Sequence, residues 1–392
     1  MKKLLSLILL LFSTITLAAT ETITPGAEQT SAYLPLLKGK KVAVFGNNTS
    51  RVGNKMLVDV LLKNHVHVTK IFAPEHGFRG KADAGAHIHD TVDDRTGLPI
   101  VSLYGEKLAP TPEDLKNVDV IVFDIQDVGV RFYTYISSLQ KIMEAAVRNN
   151  KEVIILDRPN PNGFYVDGPV LDTKYKSFTG LQPVPVVYGM TIGEYAKMLV
   201  GQEWLDVEPK SAAKTLALTV IPVLNYTHKS LYVPPIPPSP NLPDIQSIYL
   251  YPSIGLLEAT VMSVGRGTNK PFQMFGHPLI HSNFGFKPVS KPGEKYPLYE
   301  NEICYGWDLR GSPGTTLKRI AGKLQIHYAM LAYQRFPDKE KFFGHTSHGV
   351  KNNFPSQFAA NMSEGEIRKS WEPKLSEFKA IRKQYLLYQD FE

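Results

Sequence analysis

The chain has 392 residues, 43% of them hydrophobic, with one cysteine and a formal charge of +7. Length and apolar content allow two domains with sizeable cores, and a lone Cys304 excludes a disulfide framework. So mild a basic excess fits small acidic ligands or an anionic wall polymer better than nucleic acid.

The first residues, MKKLLSLILLLFSTITLAAT, combine two lysines, a short apolar run and small residues at Ala18 and Ala19. This is the pattern of a cleavable secretory signal over residues 1–19. The run is short for a membrane span, and no later segment offers about 18 unbroken apolar residues. The mature protein is therefore expected to be soluble, exported and periplasmic, without stable membrane insertion. Its charge falls to +5 once Lys2 and Lys3 leave.

From Leu37 onward strands and helices alternate. KVAVFGN reads as a strand and KMLVDVLLKN as a helix; HVHVTKIFAPEHG and PIVSLYG read as strands, and TPEDLKNV as a short capped helix. VDVIVFDIQDVG is a nearly continuous apolar strand, FYTYISSLQKIMEAAVRNN a long helix, and EVIILDRPNPNG a strand with a turn. Apolar strands separated by helices predict a parallel sheet covered on both faces. LYVPPIPPSPNLPD is a proline-rich extended segment. Helix-and-strand character then returns, so the first domain is expected to span 37–280. Residues 281–392 read as a smaller mixed α+β domain with a helix near LQIHYAMLAYQRF and an amphipathic helix near the C-terminus.

Ligands of such sheets bind beyond the carboxyl ends of the strands. Five polar clusters fall on that rim: GNNTS, APEHGFRG, YGEK, DIQDVGVR and DRPNPNG. Glu75, between Pro74 and the His76-Gly77 pair, is placed as a partly desolvated carboxyl suited to general-acid work, or as a loop residue paired with Arg79. Asp124 and Asp127 end the most apolar strand and either orient hydroxyls, act as a second acid or base, or make buried structural hydrogen bonds. Arg131 offers a bidentate carboxylate clamp, while Tyr133 and Tyr135 stack on a sugar or pack in the core. Asp157, Arg158 and Asn160 form a stiff polar turn, and Asn48 stands where a nucleotide-binding fold wants glycine. Glu258, and Arg266 between two glycines, add a further candidate anion site.

Neither G-x-G-x-x-G nor a P-loop occurs, so no nucleotide cofactor is expected. His87, His89, Asp90, Asp93 and Asp94 raise a metal question, but no second ligand block accompanies them, and no metal is expected. No G-x-S-x-G elbow occurs, and a cysteine nucleophile would rest on Cys304 alone.

Taken together, FAPEHGFRG, TGLP, FDIQDVGVRFYTY, LDRPNP, PSPNLP, YPSIGLLEAT, GRGT and SWEPKLSEFKAIRKQYLLY resemble, in order, the NamZ family of exo-β-N-acetylmuramidases, formerly a DUF1343 domain. The resemblance runs from about Leu37 to the C-terminus. It implies a Rossmann-like domain with a smaller C-terminal one, release of N-acetylmuramic acid from the non-reducing end of peptide-free peptidoglycan, and Glu75 as the catalytic residue. Many members carry SEGRG where this chain has Ser263-Val264-Gly265, so Val264 cannot supply an essential acid; Glu258 remains available. The substrates implied are MurNAc-GlcNAc saccharides, with Asp127 or the substrate's acetamido group as Glu75's partner. The alternative from the residues is a non-catalytic wall-sugar-binding protein that keeps Arg131, Arg266 and the tyrosines but has no need of Glu75.

Overall fold

The structure, a computed structural model, describes residues 22–75, 77–79, 90–343 and 353–392. The signal segment, His76, His87 and His89 lie outside the described residues. In chain order the strands are β1 (Lys41–Gly46), the hairpin pair β2 (Arg51–Val52) and β3 (Lys55–Met56), β4 (His67–Ala73), β5 (Thr91–Val92), β6 (Pro99–Ser102), β7 (Val120–Asp124), β8 (Glu152–Leu156), β9 (Leu218–Ile221), β10 (Met274–His277), β11 (Phe284–Phe286) and β12 (Cys304–Asp308).

Seven of them form one sheet in the order β5-β6-β4-β1-β7-β8-β9. Every pairing is parallel except that of the short edge strand β5 with β6. The alternation within each strand explains why the apolar runs are continuous. Val42 and Val44 of β1, with Val120 and Val122 of β7, enter the core beneath the helices Thr30–Leu37 and Leu57–Lys63. Ala43, Phe45, Ile121 and Phe123 enter the opposite core, shared with the helices Tyr135–Arg148 and Ile192–Gly201. Phe45 and Phe123, register partners, stack with ring centroids 4.5 Å apart. Both faces are thus covered, as a parallel sheet requires.

Local signals set the helix ends. Thr111 and Asp114 close a capping box on the predicted short helix Pro112–Leu115. The same device, Thr191 with Glu194, opens Ile192–Gly201, which the sequence reading did not assign. The helix expected over KMLVDVLLKN begins only at Leu57, because Lys55 and Met56 pair with Arg51 and Val52.

The smaller antiparallel sheet, β10-β12-β11, draws a strand from either side of residue 280. The C-terminal helix Glu364–Lys383 buries Ile367, Trp371, Leu375 and Phe378, a stripe at helical spacing. Beyond it the chain returns to the large sheet, where the Tyr388 hydroxyl donates to Asp157 at 2.6 Å.

Candidate active site

β4 delivers its last residue, Ala73, to the carboxyl edge of the sheet, and Pro74 ends it. The Gly77 amide donates back to the Pro74 carbonyl at 3.0 Å, a turn that Gly77 completes with φ of 71°. The turn leaves Glu75 half-buried on the wall of a cavity of about 60 Å³. The position agrees with the rule that parallel sheets bind ligands past their strand ends.

Aromatic rings form much of the cavity. Tyr133 and Tyr135, from the start of the helix after β7, meet edge-to-face at 4.6 Å between centroids, and Tyr251 meets Tyr133 at 6.0 Å. Phe272 packs on Tyr251 at 4.8 Å, and the Arg266 guanidinium lies 5.2 Å from the Phe272 centroid. Both rings reach the wall, Tyr135 from a buried position and Tyr133 from a half-buried one. Gly265 and Gly267 both hold left-handed φ, near 79° and 78°, which accounts for the glycine on each side of Arg266.

Arg266 arrives with its charge engaged. Nε donates to Glu258 at 2.7 Å and Nη1 to Glu294 at 3.1 Å. Burial works against the cation, but the two carboxylates outweigh it and raise its pKa. The proline-rich segment supplies the remaining wall through Ser239, Asn241 and Leu242. It is fixed by Tyr133, which donates to the Pro238 carbonyl at 2.8 Å, by Asn48 to Pro237 at 3.5 Å, and by Asn241 to Glu294 at 3.0 Å.

Tyr104, in the loop after β6, lies next to Glu75: burial first, then the Glu75 carboxylate, raise its phenol well above the ordinary value. Asp127 differs from Glu75 in being fully buried and absent from the cavity lining. It accepts from the Gly129 amide at 2.7 Å and from the Tyr188 hydroxyl, while its Oδ1 has no partner among the described residues. Burial pushes its carboxyl up to about 6, against the pull of those donors.

The structure thus brings Glu75, Tyr133, Glu258 and Arg266 together, with Asn48 behind the proline-rich wall. Other rim candidates are occupied elsewhere. Asp124 and Arg158 form a buried pair, Nε to Oδ1 at 2.5 Å, with Arg158 on a separate cavity of about 500 Å³ that Tyr232 also lines. Asp157 accepts from Thr191, the Gly193 amide and Tyr388, tying a helix start and the C-terminus to the sheet. Asn160 bridges the Met190 carbonyl and the Asn162 amide. Arg79 grips Asp93 through both Nε and Nη2, and Asp90 takes the Ser102 amide. Arg131 is spent in part on backbone carbonyls away from Glu75. Cys304 is buried, and burial pushes its thiol up to about 12, far from a nucleophile's range.

Sequence reasoning missed Tyr104, Asn241, Tyr251, Phe272 and Glu294. Tyr104 stands in the YGEK rim cluster, and Asn241 and Tyr251 in PSPNLP and YPSIGLLEAT, so their motifs were visible without their roles. Glu294 has no local signal at all.

Comparison with known proteins extends over nearly the same span. Residues 42–246 match a family model described as exo-β-N-acetylmuramidase NamZ, N-terminal, and residues 249–388 its C-terminal counterpart. The chain is 35% identical over 381 residues to the peptidoglycan β-N-acetylmuramidase NamZ of Bacillus subtilis (strain 168), covering 91% of this chain and 89% of that protein. Two crystal structures of DUF1343 family proteins from Bacteroides fragilis share the fold. One is 44% identical with a TM-score of 0.84, covering 94% of this chain and 100% of its own. The other is 30% identical with a TM-score of 0.73, covering 94% and 99%.

Proposed function

Because the chain belongs to the NamZ family of exo-β-N-acetylmuramidases, we propose that it is a glycoside hydrolase that releases N-acetylmuramic acid from the non-reducing ends of peptide-free peptidoglycan fragments in wall turnover. The observation that carries this reading onto the present residues is Glu75, a half-buried carboxyl in an aromatic cavity at the carboxyl edge of the sheet. Tyrosine and phenylalanine faces suit a sugar ring.

In this mechanism Glu75 protonates the glycosidic oxygen as the bond to the anomeric carbon breaks. Arg266, held by two carboxylates, orients polar groups of the sugar rather than acting as a bare cation. The oxocarbenium-like centre needs a partner. Asp127 is buried, off the lining and tied to the Gly129 amide and the Tyr188 hydroxyl, so its placement favours the substrate's own 2-acetamido oxygen as the attacking group.

The reading extends to export: residues 1–19 act as the signal and the enzyme works in the periplasm. N-terminal sequencing of the secreted protein, expected to begin just after Ala19, checks that part. Among the described residues no helix is long and apolar enough to cross a membrane.

The main test compares wild type with Glu75→Gln on MurNAc-GlcNAc and on a chromogenic β-MurNAc glycoside. Loss of a general acid lowers the rate by about 10²–10⁴. The loss is expected on the disaccharide and much less on the activated glycoside, whose leaving group needs no proton. Equal activity of both proteins on the disaccharide removes Glu75 from the mechanism. A wild-type protein that binds the disaccharide without cleaving it replaces the enzyme with a binding protein.

A further inference from the structure

Arg131 precedes four consecutive wall residues of the Glu75 cavity in the chain, yet its side chain runs the other way. It is 2% exposed, and its Nη1 donates to the carbonyls of Pro169 and Val184, both at 2.7 Å. Among the described residues, Nε and Nη2 have no hydrogen-bond partner and no carboxylate pairs with the guanidinium. Neither nitrogen is sealed within the protein.

Among the described residues the same edge is used three times to hold a carboxylate. Nε and Nη2 of Arg79 grip Asp93 at 2.9 and 2.7 Å, those of Arg158 grip Asp124 at 2.5 and 2.9 Å, and those of Arg310 grip Asp308 at 2.8 and 2.7 Å. In each case the planar fork meets two oxygens, the geometry guanidinium favours. Arg131 is buried as deeply as Arg158 without such a partner. Burial lowers its pKa to about 10, so it is still a cation at neutral pH, and an uncompensated buried cation is costly.

Arg131 lines a cavity of about 120 Å³ between the segment 169–175 and the C-terminal helix. At roughly 30 Å³ per water, this is room for a small organic acid. Trp371 and Tyr175 offer apolar surface, and Lys374 adds a second cation at the margin. Asp172, the carboxylate on the described lining, is turned to Lys174 at 3.2 Å. Residues 344–352, which lead into Asn353 on the lining, contain no aspartate or glutamate in sequence.

We propose that this cavity is a second binding site, separate from the Glu75 pocket, that takes a small organic carboxylate on the Nε–Nη2 edge of Arg131. The two cavities share no lining residue. They are joined through the chain: Arg131 leads directly into Phe132 and Tyr133. A second link is Phe178, 6.4 Å from Tyr104 between ring centroids, in the loop that also brings Gly180 against Arg131.

The test titrates the full chain with sodium lactate by calorimetry, against sodium chloride at matched ionic strength. Saturable binding is expected for lactate and not chloride, weakened at least about tenfold by Arg131→Lys, which keeps the charge but loses the fork. Ser370→Leu, on the exposed side of the C-terminal helix at the cavity margin, is expected to weaken binding with Arg131 intact, and it decides the matter should Arg131→Lys not fold. Glu75→Gln is expected to bind lactate as wild type does. The proposal fails if chloride gives the same heats, if Arg131→Lys or, in its place, Ser370→Leu binds as wild type does, or if inorganic phosphate binds more tightly than lactate. It fails equally if Glu75→Gln abolishes binding, which would place lactate in the first pocket.

Discussion

Nε of Arg266 donates to Oε1 of Glu258 at 2.7 Å, and the same arginine lines the cavity that holds Glu75. In the proposed mechanism Glu258 therefore acts on substrate through Arg266. Glu258→Gln leaves Glu294 as the only charged anchor and is expected to lower kcat/KM about tenfold, roughly 1.4 kcal/mol, mostly through KM. Steady-state kinetics on a β-MurNAc glycoside gives the answer, and an unchanged KM would detach Glu258 from the site.

Tyr104 carries the hydroxyl beside Glu75. Tyr104→Phe removes one hydrogen-bonding group without opening the ring-sized space, an effect of about 1 kcal/mol. A fall in kcat of up to about tenfold with little change in KM is expected. Wild-type kcat in this variant would show that the phenol takes no part.

The buried Asp127 predicts a pH signature in stability. An acid raised from 3.8 to about 6 in the fold keeps a proton that the unfolded chain has lost, so it stabilises below pH 4 and that contribution disappears as pH rises to 6. A shift of about two units corresponds to about 3 kcal/mol. Asp157, also pushed to about 6 by burial, acts in the same window, and His277, lowered by burial to about 4, acts in the opposite sense. The comparison is therefore between proteins: urea unfolding of Asp127→Asn at pH 4.5 and 7 should show a smaller stability loss on going to pH 7 than wild type. Identical pH dependences would mean that Asp127 titrates normally.

Tyr388 anchors the end of the chain to Asp157. Tyr388→Phe leaves that buried carboxylate one donor short and should destabilise the protein by about 1–3 kcal/mol. Thermal unfolding reads it directly, and a melting temperature equal to wild type would mean the contact contributes nothing.

The sheet was legible because its strands are covered on both faces: Val42–Phe45, Val120–Phe123 and Val153–Leu156 are apolar at every position, whichever core each residue enters. Edge strand β5 and outer strand β9 were not, since both are short and less deeply buried. Glu75 stood out through its proline, histidine and glycine neighbours. Asp124, Asp157 and Asn160 looked equally functional in the rim clusters, and nothing local distinguishes them. Their partners Arg158, Tyr388 and Met190 lie 34, 231 and 30 residues away. Polar residues at strand ends advertise hydrogen bonding; only the folded chain says whether the partner is protein or ligand.

The contact between Tyr388 and Asp157 also bears on how the molecule comes into being. A ribosome releases Asp157 long before Tyr388, and a carboxylate at the end of β8 waits for a donor 231 residues downstream. Arg382 likewise closes on Asp390 and the Gly189 carbonyl, and the Gln389 carbonyl receives the His228 amide. The first half of the chain can pair its strands as it emerges, but its rim is finished only when Arg382, Tyr388, Gln389 and Asp390 have followed. Synthesis as far as Asp390 is thus built into the fold as a condition for a fully assembled rim.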